Sequence, residues 1–341
     1  MTHAITPRRG AEHSRILGVG GYRPHRVVPN EELLQYIDSS DEWIRTRSGI
    51  ATRHWAGPEE TVTEMSVAAA GKAIAQAGIR PEQIGCVVVS TVSHFKQTPA
   101  VATEIADRIG ASPAAAFDIS AACAGFGYAL NLADGMVRNG SAEHVLIIGV
   151  ERLSDLTDIH DRSTAFLFGD GAGAAVIGPS DTPGIGPVVW GSDGAQAGVI
   201  TQTQAWDAFK GEAGVGGPSK EATYPALTME GQTVFRWAVW EMAKVAQQAL
   251  DAAGITADQL DVFVPHQANM RITDAMIKAL KLPAGVPVAR DIAETGNTSA
   301  ASIPLAIERM LASGEAKSGD TALLIGFGAG LVYAAAVVVL P

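Results

Sequence analysis

Apolar residues in this chain come in two kinds of stretch. Short unbroken runs, VVVS, HVLIIGV, DVFVP and TALLIGF, have the length and β-branched content of strands buried on both faces. Longer Ala-rich stretches, SVAAAGKAIAQAG and VFRWAVWEMAKVAQQALDAAG, carry apolar residues near helical spacing and stop at a glycine. Alternation of the two predicts an α/β fold. The runs GAAVIG and YAAAVVVL follow the Gly-rich segments GDGAG and GFGAG, which read as turns, so mixed sheets are expected.

The pattern repeats once along the chain. AGIRPEQIGCV begins at Ala77 and AGITADQLDVF at Ala253, 176 residues later; each reads as a helix end, a loop and a strand. FDISAACAGFGYAL is echoed by RDIAETGNTSAASIPLA, with Asp118 and Asp291 173 residues apart. FGDGAGAAVIG is echoed in TALLIGFGAGLVYAAAVVV, with Gly169 and Gly326 157 residues apart. The offset shrinks because ERLSDLTDIHDRSTAF is extra in the first half. Such a period is too long for a solenoid and fits a duplicated α/β unit, 1–180 followed by 181–341, with loops of both halves meeting at a shared site. Residues 201–228, rich in Gly, Pro, Ser and charge, read as a surface loop, either a lid or an ordinary insertion.

Composition narrows the function. With 341 residues, 47% of them hydrophobic, the chain can bury a large core. A net charge of −11 argues against a nucleic-acid-binding role, and an acidic partner would need a local basic patch. Two cysteines, Cys86 and Cys123, make no disulfide framework. No N-terminal apolar segment suits a signal peptide, and no run approaches the roughly 18 apolar residues of a membrane span. A cytoplasmic enzyme without a membrane partner is expected.

Three residues stand out chemically. Cys123 falls where the strand AAAFDIS turns into a helix, among Ala122, Ala124 and Gly125. Unpaired N–H groups at a helix start favour a thiolate and would lower a free pKa of about 8.5. The competing reading is a buried structural thiol; Cys86, inside CVVVS, reads as one. His266 ends the strand LDVFVP, the place where α/β proteins put catalytic groups, although a lone histidine is more often structural. The other seven histidines recur at no metal-ligand spacing. Asn297 lies in the second-half echo of the Cys123 region, where it either donates into a shared site or caps the helix beginning near Thr298. GFGAG at 326–330 is a tight turn or a source of oxyanion-binding N–H groups rather than a nucleotide loop. A Cys/His/Asn set also serves cysteine proteases, but their local signatures are missing.

The motifs SSDEWIRTRSGI, FDISAACAGFGYAL, FGDGAGAAV, VPHQANMRI and GNTSAAS, in this order, resemble those of the β-ketoacyl-acyl-carrier-protein synthase III family of the thiolase superfamily. The likeness runs from RILGVGGYRP to the C-terminus, and the spelling resembles actinobacterial members most. It implies a duplicated thiolase-like fold, five-layered αβαβα with two mixed sheets. It implies decarboxylative condensation of an acyl-CoA with malonyl-acyl-carrier protein, or the loading step of a related acyltransferase or polyketide starter synthase. It implies Cys123, His266 and Asn297 as the catalytic set and backbone N–H groups of Cys123 and Ala329 as oxyanion donors. CoA would contact Trp43, Arg47, Arg162, Gly231 and Asn269. Acyl carrier protein would meet Gln267, Ala268, Asn269, Met270 and Arg271. Thr98, where a bulky Phe is frequent, and Phe327 would shape the acyl and malonyl pockets. The family is homodimeric, with no metal and no resident cofactor, since acyl-CoA is a substrate. Independently of the resemblance, Arg271, Lys278 and Lys281 fall near one face of a helix expected after His266, with Asp274 interrupting it; the other reading is a solvated face.

Overall fold

Period-two burial sets the layering. In β6 (His144–Arg152), Val145 and Ile147 join one core, while Leu146, Ile148 and Val150 join another. β4 (Ile84–Ser90) divides likewise, with Cys86 and Val88 on the first side and Val87 and Val89 on the second. Cys86 is thus a core side chain, buried among apolar neighbours. The protein, seen in a computed structural model, is described for residues 8–209 and 224–341.

The first sheet has the order β1-β7-β6-β4-β5, where β1 is His13–Tyr22, β5 Ala115–Ile119 and β7 Asp170–Ser180. β4 runs parallel to both β5 and β6, and β7 runs antiparallel to β6 and β1, so the sheet is mixed. The second sheet has the order β11-β12-β13-β8, built from Val189–Ser192 (β8), Val262–Pro265 (β11), Thr321–Gly328 (β12) and Val332–Val339 (β13). It too mixes one parallel pair with antiparallel ones.

Helices fill three layers around these sheets. α3 (Val62–Ala77) and α4 (Val101–Arg108) cover the outer face of the first sheet. α5 (Gly125–Asn139) and α9 (Ser302–Ser313) pack between the sheets, in a core fed by strands of both. α6 (Gly231–Ala253) and α7 (Met270–Leu280) cover the far face of the second sheet. A side subdomain adds α1 (Asn30–Leu33), α2 (Asp41–Ser48) and the hairpin of β2 (Arg26–Pro29) with β3 (Thr52–Trp55). Fully buried Arg53 ties it down, donating to Asn30 Oδ1, Val28 O and Phe166 O.

The duplication reaches atomic detail. Gln83 Oε1 accepts from Arg80 N at 2.9 Å, and Gln259 Oε1 accepts from Thr256 N at 2.9 Å, 176 positions later. Gly78 and Gly254 end α3 and α6 in the left-handed conformation. Further on, Ala122 (φ 43°) and Ser299 (φ 48°), 177 positions apart, open equivalent 3-10 turns, Ala122–Ala124 and Ser299–Ala301. The register grows from 173 at Asp118/Asp291 to 177 because α8 (Ile292–Thr295) occupies four residues that the first half lacks.

Two expectations need correction. GDGAG is not a turn: Asp170 to Gly173 lie inside β7. Its glycines make room for α9, since a Cβ at Gly173 would fall 2.6 Å from Pro304 Cγ and one at Gly171 3.0 Å from Leu305 Cδ1. GFGAG does turn, between β12 and β13. The proposed loop at 201–228 is not irregular at its ends: β9 (Ile200–Gln202) pairs antiparallel with β10 (Leu227–Met229), with Thr201 opposite Thr228. Ladder bonds satisfy backbone there that a Gly-rich composition hid. Residues 210–223, at the heart of that expected loop, lie outside the described residues.

Candidate active site

The ends of β5, β11 and β12 and the turn before α9 open onto one cavity of about 670 Å³, lined by Cys123, His266, Asn297, Ser299, Phe327, Gly328 and Ala329 among others. Parallel pairing in each sheet puts the C-terminal ends of β5 and β11 on the side from which their following turns enter the interior.

Cys123 occupies the middle of the 3-10 turn that feeds α5. Gly328 presses against it: a Cβ there would fall 2.9 Å from the Cys123 nitrogen, Cβ and Sγ alike. Only glycine admits this approach, and it brings the peptide between Gly328 and Ala329 beside the sulfur. Burial works against the lowered pKa expected of a helix start. Burial pushes the thiol up to about 12, with Glu151 adding to the rise, against a smaller downward pull from the Ser299 hydroxyl and the residue's own amide. Desolvation of a thiolate at the cavity floor opposes the partial positive charge at the start of α5.

His266 ends β11, its amide donating to Ile325 O at 2.7 Å, and its ring packs edge-on to Phe327 at 5.4 Å between centroids. It is 2% exposed, and burial pushes its pKa down to about 3, so the imidazole is neutral. Nδ1 lies 2.7 Å from Ser302 Oγ, the first residue of α9.

Asn297 is fixed from the other half. Its N–H donates to Leu167 O at 2.8 Å, and its carbonyl accepts from Gly169 N at 3.0 Å. Oδ1 accepts from Ser299 N at 2.8 Å, capping the turn before α9. That cap orients the amide and leaves Nδ2 as the donor facing the cavity. The cap reading of Asn297 holds at this turn, and the same residue lines the cavity.

At the outer end of the cavity Arg47 and Gly231 join the wall. The Trp43 ring carries the Arg162 guanidinium at 4.9 Å and that of Arg47 at 5.8 Å, and it stands edge-on to Phe166 at 5.5 Å. Asn269 also lines the cavity; its Oδ1 caps α7 through Arg271 N at 2.9 Å and its Nδ2 donates to Arg47 O at 3.0 Å.

This arrangement agrees with what sequence comparison finds. The chain matches the description 3-oxoacyl-[acyl-carrier-protein] synthase III over residues 117–194, and its C-terminal counterpart over 250–340. It is 71% identical to β-ketoacyl-[acyl-carrier-protein] synthase III 1 of Streptomyces coelicolor over 99% of both chains. The chain belongs to the β-ketoacyl-acyl-carrier-protein synthase III family. It is therefore an acyltransferase with the thiolase-like fold. A mycobacterial family member from Mycobacterium avium is 53% identical over 99% of this chain and 98% of its own. Among solved structures, a priming β-ketosynthase of a polyketide biosynthetic pathway superposes with a TM-score of 0.93 at 49% identity, covering 100% of this chain and 99% of that one. The 3-oxoacyl-[acyl-carrier-protein] synthase III of Aquifex aeolicus gives 0.86 at 36% identity, covering 96% and 99%.

Not every residue that the family resemblance singled out reaches the place expected. Gln267 is 1% exposed; its Nε2 donates to Pro265 O and Ala289 O and its Oε1 accepts from Ile292 N. It braces the loop after His266 and has no surface to offer a carrier protein. Ala268 lines the cavity, Met270 is half-buried, and Arg271 is exposed, its guanidinium over the Phe235 ring at 4.8 Å. Thr98 is not on the cavity wall, where Lys96 and Gln97 stand instead. Lys278 is exposed on α7, but Lys281 follows the helix end with φ 53°, off its face. Asp274 does not compete with them for a partner, since it pairs with Arg290 at 2.8 Å.

Four residues went unnoticed in the sequence. Ser299 and Ser302 sit inside GNTSAAS, where the asparagine drew the attention. Thr91 lines the cavity and Glu151 lies fully buried behind it. The signal for Glu151 was a carboxylate closing the apolar run HVLIIGV.

Proposed function

We propose that this enzyme takes an acyl group from acyl-CoA onto Cys123 and joins it to malonyl-acyl-carrier protein, releasing CO₂ and a 3-oxoacyl-carrier protein, the first condensation of fatty acid synthesis. The observation that carries this reading is the convergence on one cavity of a thiol, a neutral imidazole and an amide held by its Oδ1 alone.

Cys123 Sγ attacks the thioester carbonyl and CoA leaves as its thiolate. The N–H groups of Cys123 and Ala329 receive the developing oxyanion; one such donor contributes roughly 10²–10³-fold in rate. The malonyl thioester then binds with its carbonyl oxygen between His266 and Asn297 Nδ2. Ser302 as donor to Nδ1 leaves the His266 proton on Nε2, where it is a donor. A cationic imidazolium is unnecessary, because loss of CO₂ leaves an enolate that two neutral donors hold. The enolate carbon attacks the acyl thioester, and Cys123 departs as a thiolate. No resident cofactor or metal takes part.

Trp43, with the Arg162 and Arg47 guanidinium groups beside its ring, suits a flat adenine with phosphates nearby. Exposed Arg271 and Lys278 lie on the helix that begins at the cavity rim with Asn269, and suit an acidic carrier protein. A homodimer acting in the cytoplasm fits this role; among the described residues no helix is long and apolar enough to cross a membrane. A second reading, priming of a polyketide chain, has support in the likeness to the priming β-ketosynthase. Incubation with acetyl-, isobutyryl- and hexanoyl-CoA plus malonyl-carrier protein tests the assignment. A 3-oxoacyl-carrier protein and CO₂ in equal amounts are expected. Hydrolysis to free acid without a new carbon–carbon bond would overturn it.

A further inference from the structure

Glu151, near the end of β6, is 0% exposed, and no step of the condensation uses it. A carboxylate so buried is tolerated where donors meet it. Its Oε2 accepts from three donors of one loop: Ser93 Oγ at 2.6 Å, Val92 N at 3.1 Å and Thr91 Oγ1 at 3.3 Å. Ser93 Oγ in turn accepts from Arg152 N at 2.8 Å, and Thr91 Oγ1 accepts from Ser93 N at 3.2 Å. Side chains and backbones of strand and loop are thus clamped together.

That loop is a wall of the cavity. It runs from the end of β4 to the start of α4, and Thr91, Val92, His94, Lys96 and Gln97 on it line the site. Thr91 N donates to Ile119 O at 3.3 Å, at the end of β5, from which the chain enters the Cys123 turn. The clamp therefore fixes the part of the loop that borders the strand leading to the nucleophile. Further on, exposed Phe95 packs against Trp206 at 5.1 Å and Tyr224 at 6.3 Å between centroids.

The duplication gives position 151 its freedom. Gly149 and Gly326 stand 177 positions apart, the offset of Ala122 and Ser299. Each presses on the equivalent turn: a Cβ on Gly326 would lie 2.8 Å from Cys123 O, and one on Gly149 2.1 Å from Ala300 O, again 177 positions on. At the same offset Glu151 matches Gly328. Glycine is needed in the second half because Cys123 lies against it. In the first half the matching turn carries Ala300 in place of a nucleophile, and a side chain at 151 is available to hold the wall.

We infer that Glu151 is a positioning residue for acyl selection: it holds Thr91 to Ser93, and with them the wall as far as Gln97, in the place that discriminates between acyl chains. This rests on the acyl-transfer reading above. Glu151 is not on the cavity wall and acts through Val92 and Ser93. An acetyl group ends beside the sulfur, whereas a hexanoyl chain reaches further into the cavity and meets its walls. A fixed wall selects between the two; a released one selects differently. The fit of a single methylene in a pocket changes selection by about 10-fold or more. Chemistry at the thioester carbonyl is common to both acyl groups and belongs to Cys123 and its turn.

The test compares wild type, Glu151→Ala, Glu151→Gln and Ser93→Ala, each as the full chain. Single-turnover acylation of Cys123 by acetyl-CoA and by hexanoyl-CoA is followed by intact mass, and decarboxylation of malonyl-carrier protein is measured beside it. In Glu151→Ala the hexanoyl-to-acetyl ratio should move by about 10-fold or more, with acetyl transfer within about threefold of wild type. Decarboxylation should stay near the wild-type rate. Glu151→Gln keeps an oxygen for the same donors and should return the ratio most of the way to wild type. Ser93→Ala should move the ratio in the same direction as Glu151→Ala. Equal losses with both acyl-CoAs, an unchanged ratio in Glu151→Ala, or a Glu151→Gln enzyme no closer to wild type than Glu151→Ala would overturn the inference. Hydrogen exchange in the wild type requires no variant to fold. The Val92 and Arg152 amides should exchange roughly 10²-fold slower than unbonded loop amides, and exchange at the rate of an open loop would overturn it as well. Failure of acetyl-CoA to acylate the wild type would instead count against the proposed function.

Discussion

The Nδ1 atom of His266 lies 2.7 Å from Ser302 Oγ, and this bond decides which proton the imidazole shows the substrate. Gln267 N–H points at the same oxygen from 3.5 Å, and we assign the Ser302 hydroxyl as the donor to Nδ1. Nε2 then carries hydrogen. Ser302→Ala removes that bias. We expect malonyl decarboxylation to fall about tenfold, the worth of one neutral hydrogen bond, with acylation of Cys123 less affected. Separate assays of the two half-reactions check this, and an equal loss in both would contradict the assignment.

Gly328 makes a sharper prediction. A methyl group there would stand 2.9 Å from the nucleophile's sulfur, Cβ and nitrogen, and neither backbone has room to retreat. Gly328→Ala should reduce acylation by more than about 10²-fold, with a smaller effect on the affinity for CoA. Single-turnover acylation followed by mass separates the two.

The Trp43 ring has two guanidinium groups within 6 Å of its centroid, Arg162 at 4.9 Å and Arg47 at 5.8 Å. Trp43→Ala should raise the KM for acyl-CoA by about tenfold, as expected for loss of a stacking face with two cation contacts at roughly 0.5–1 kcal/mol each, while kcat for bound substrate changes less. Steady-state kinetics in acyl-CoA at saturating malonyl-carrier protein measure this split.

The buried imidazole gives stability a pH dependence with a fixed sign. His266 binds its proton at about 3 when folded and at about 6.5 when unfolded, so between these values the unfolded chain holds more protons. Stability from this group is whole above 6.5 and declines as pH falls toward 3. In His266→Gln that loss is absent. From pH 7 to pH 4 the stability of the variant relative to wild type should therefore improve by on the order of 3 kcal/mol. Urea unfolding at the two pH values provides the number; an unchanged difference would mean that the histidine is protonated in the folded protein.

The fold and the site were legible to different depths. Strand runs and the echo of Gly78 in Gly254 exposed the duplication, because burial on both faces and helix termination write directly into residue type. Cys123, His266 and Asn297, which line one cavity, were singled out because strand ends, the repeat and the family motifs pointed to them. Gln267 was misread because the same amide that suits a surface contact suits three backbone groups in a buried loop. GDGAG was misread because glycine serves a turn and a close helix approach equally well. The thiol's high pKa depends on how deeply the turn is desolvated and on Glu151, 28 positions away, which local sequence does not express.

Acyl transfer through Cys123 is read from the intact mass of the protein after mixing with acetyl-CoA, before and after malonyl-carrier protein is added. One acetyl group per chain is expected, carried on Cys123 and lost in Cys123→Ala, and it should disappear on adding malonyl-carrier protein as 3-oxobutyryl-carrier protein forms. An acetyl group on any other residue, or an adduct on Cys123 that malonyl-carrier protein leaves in place, would contradict it.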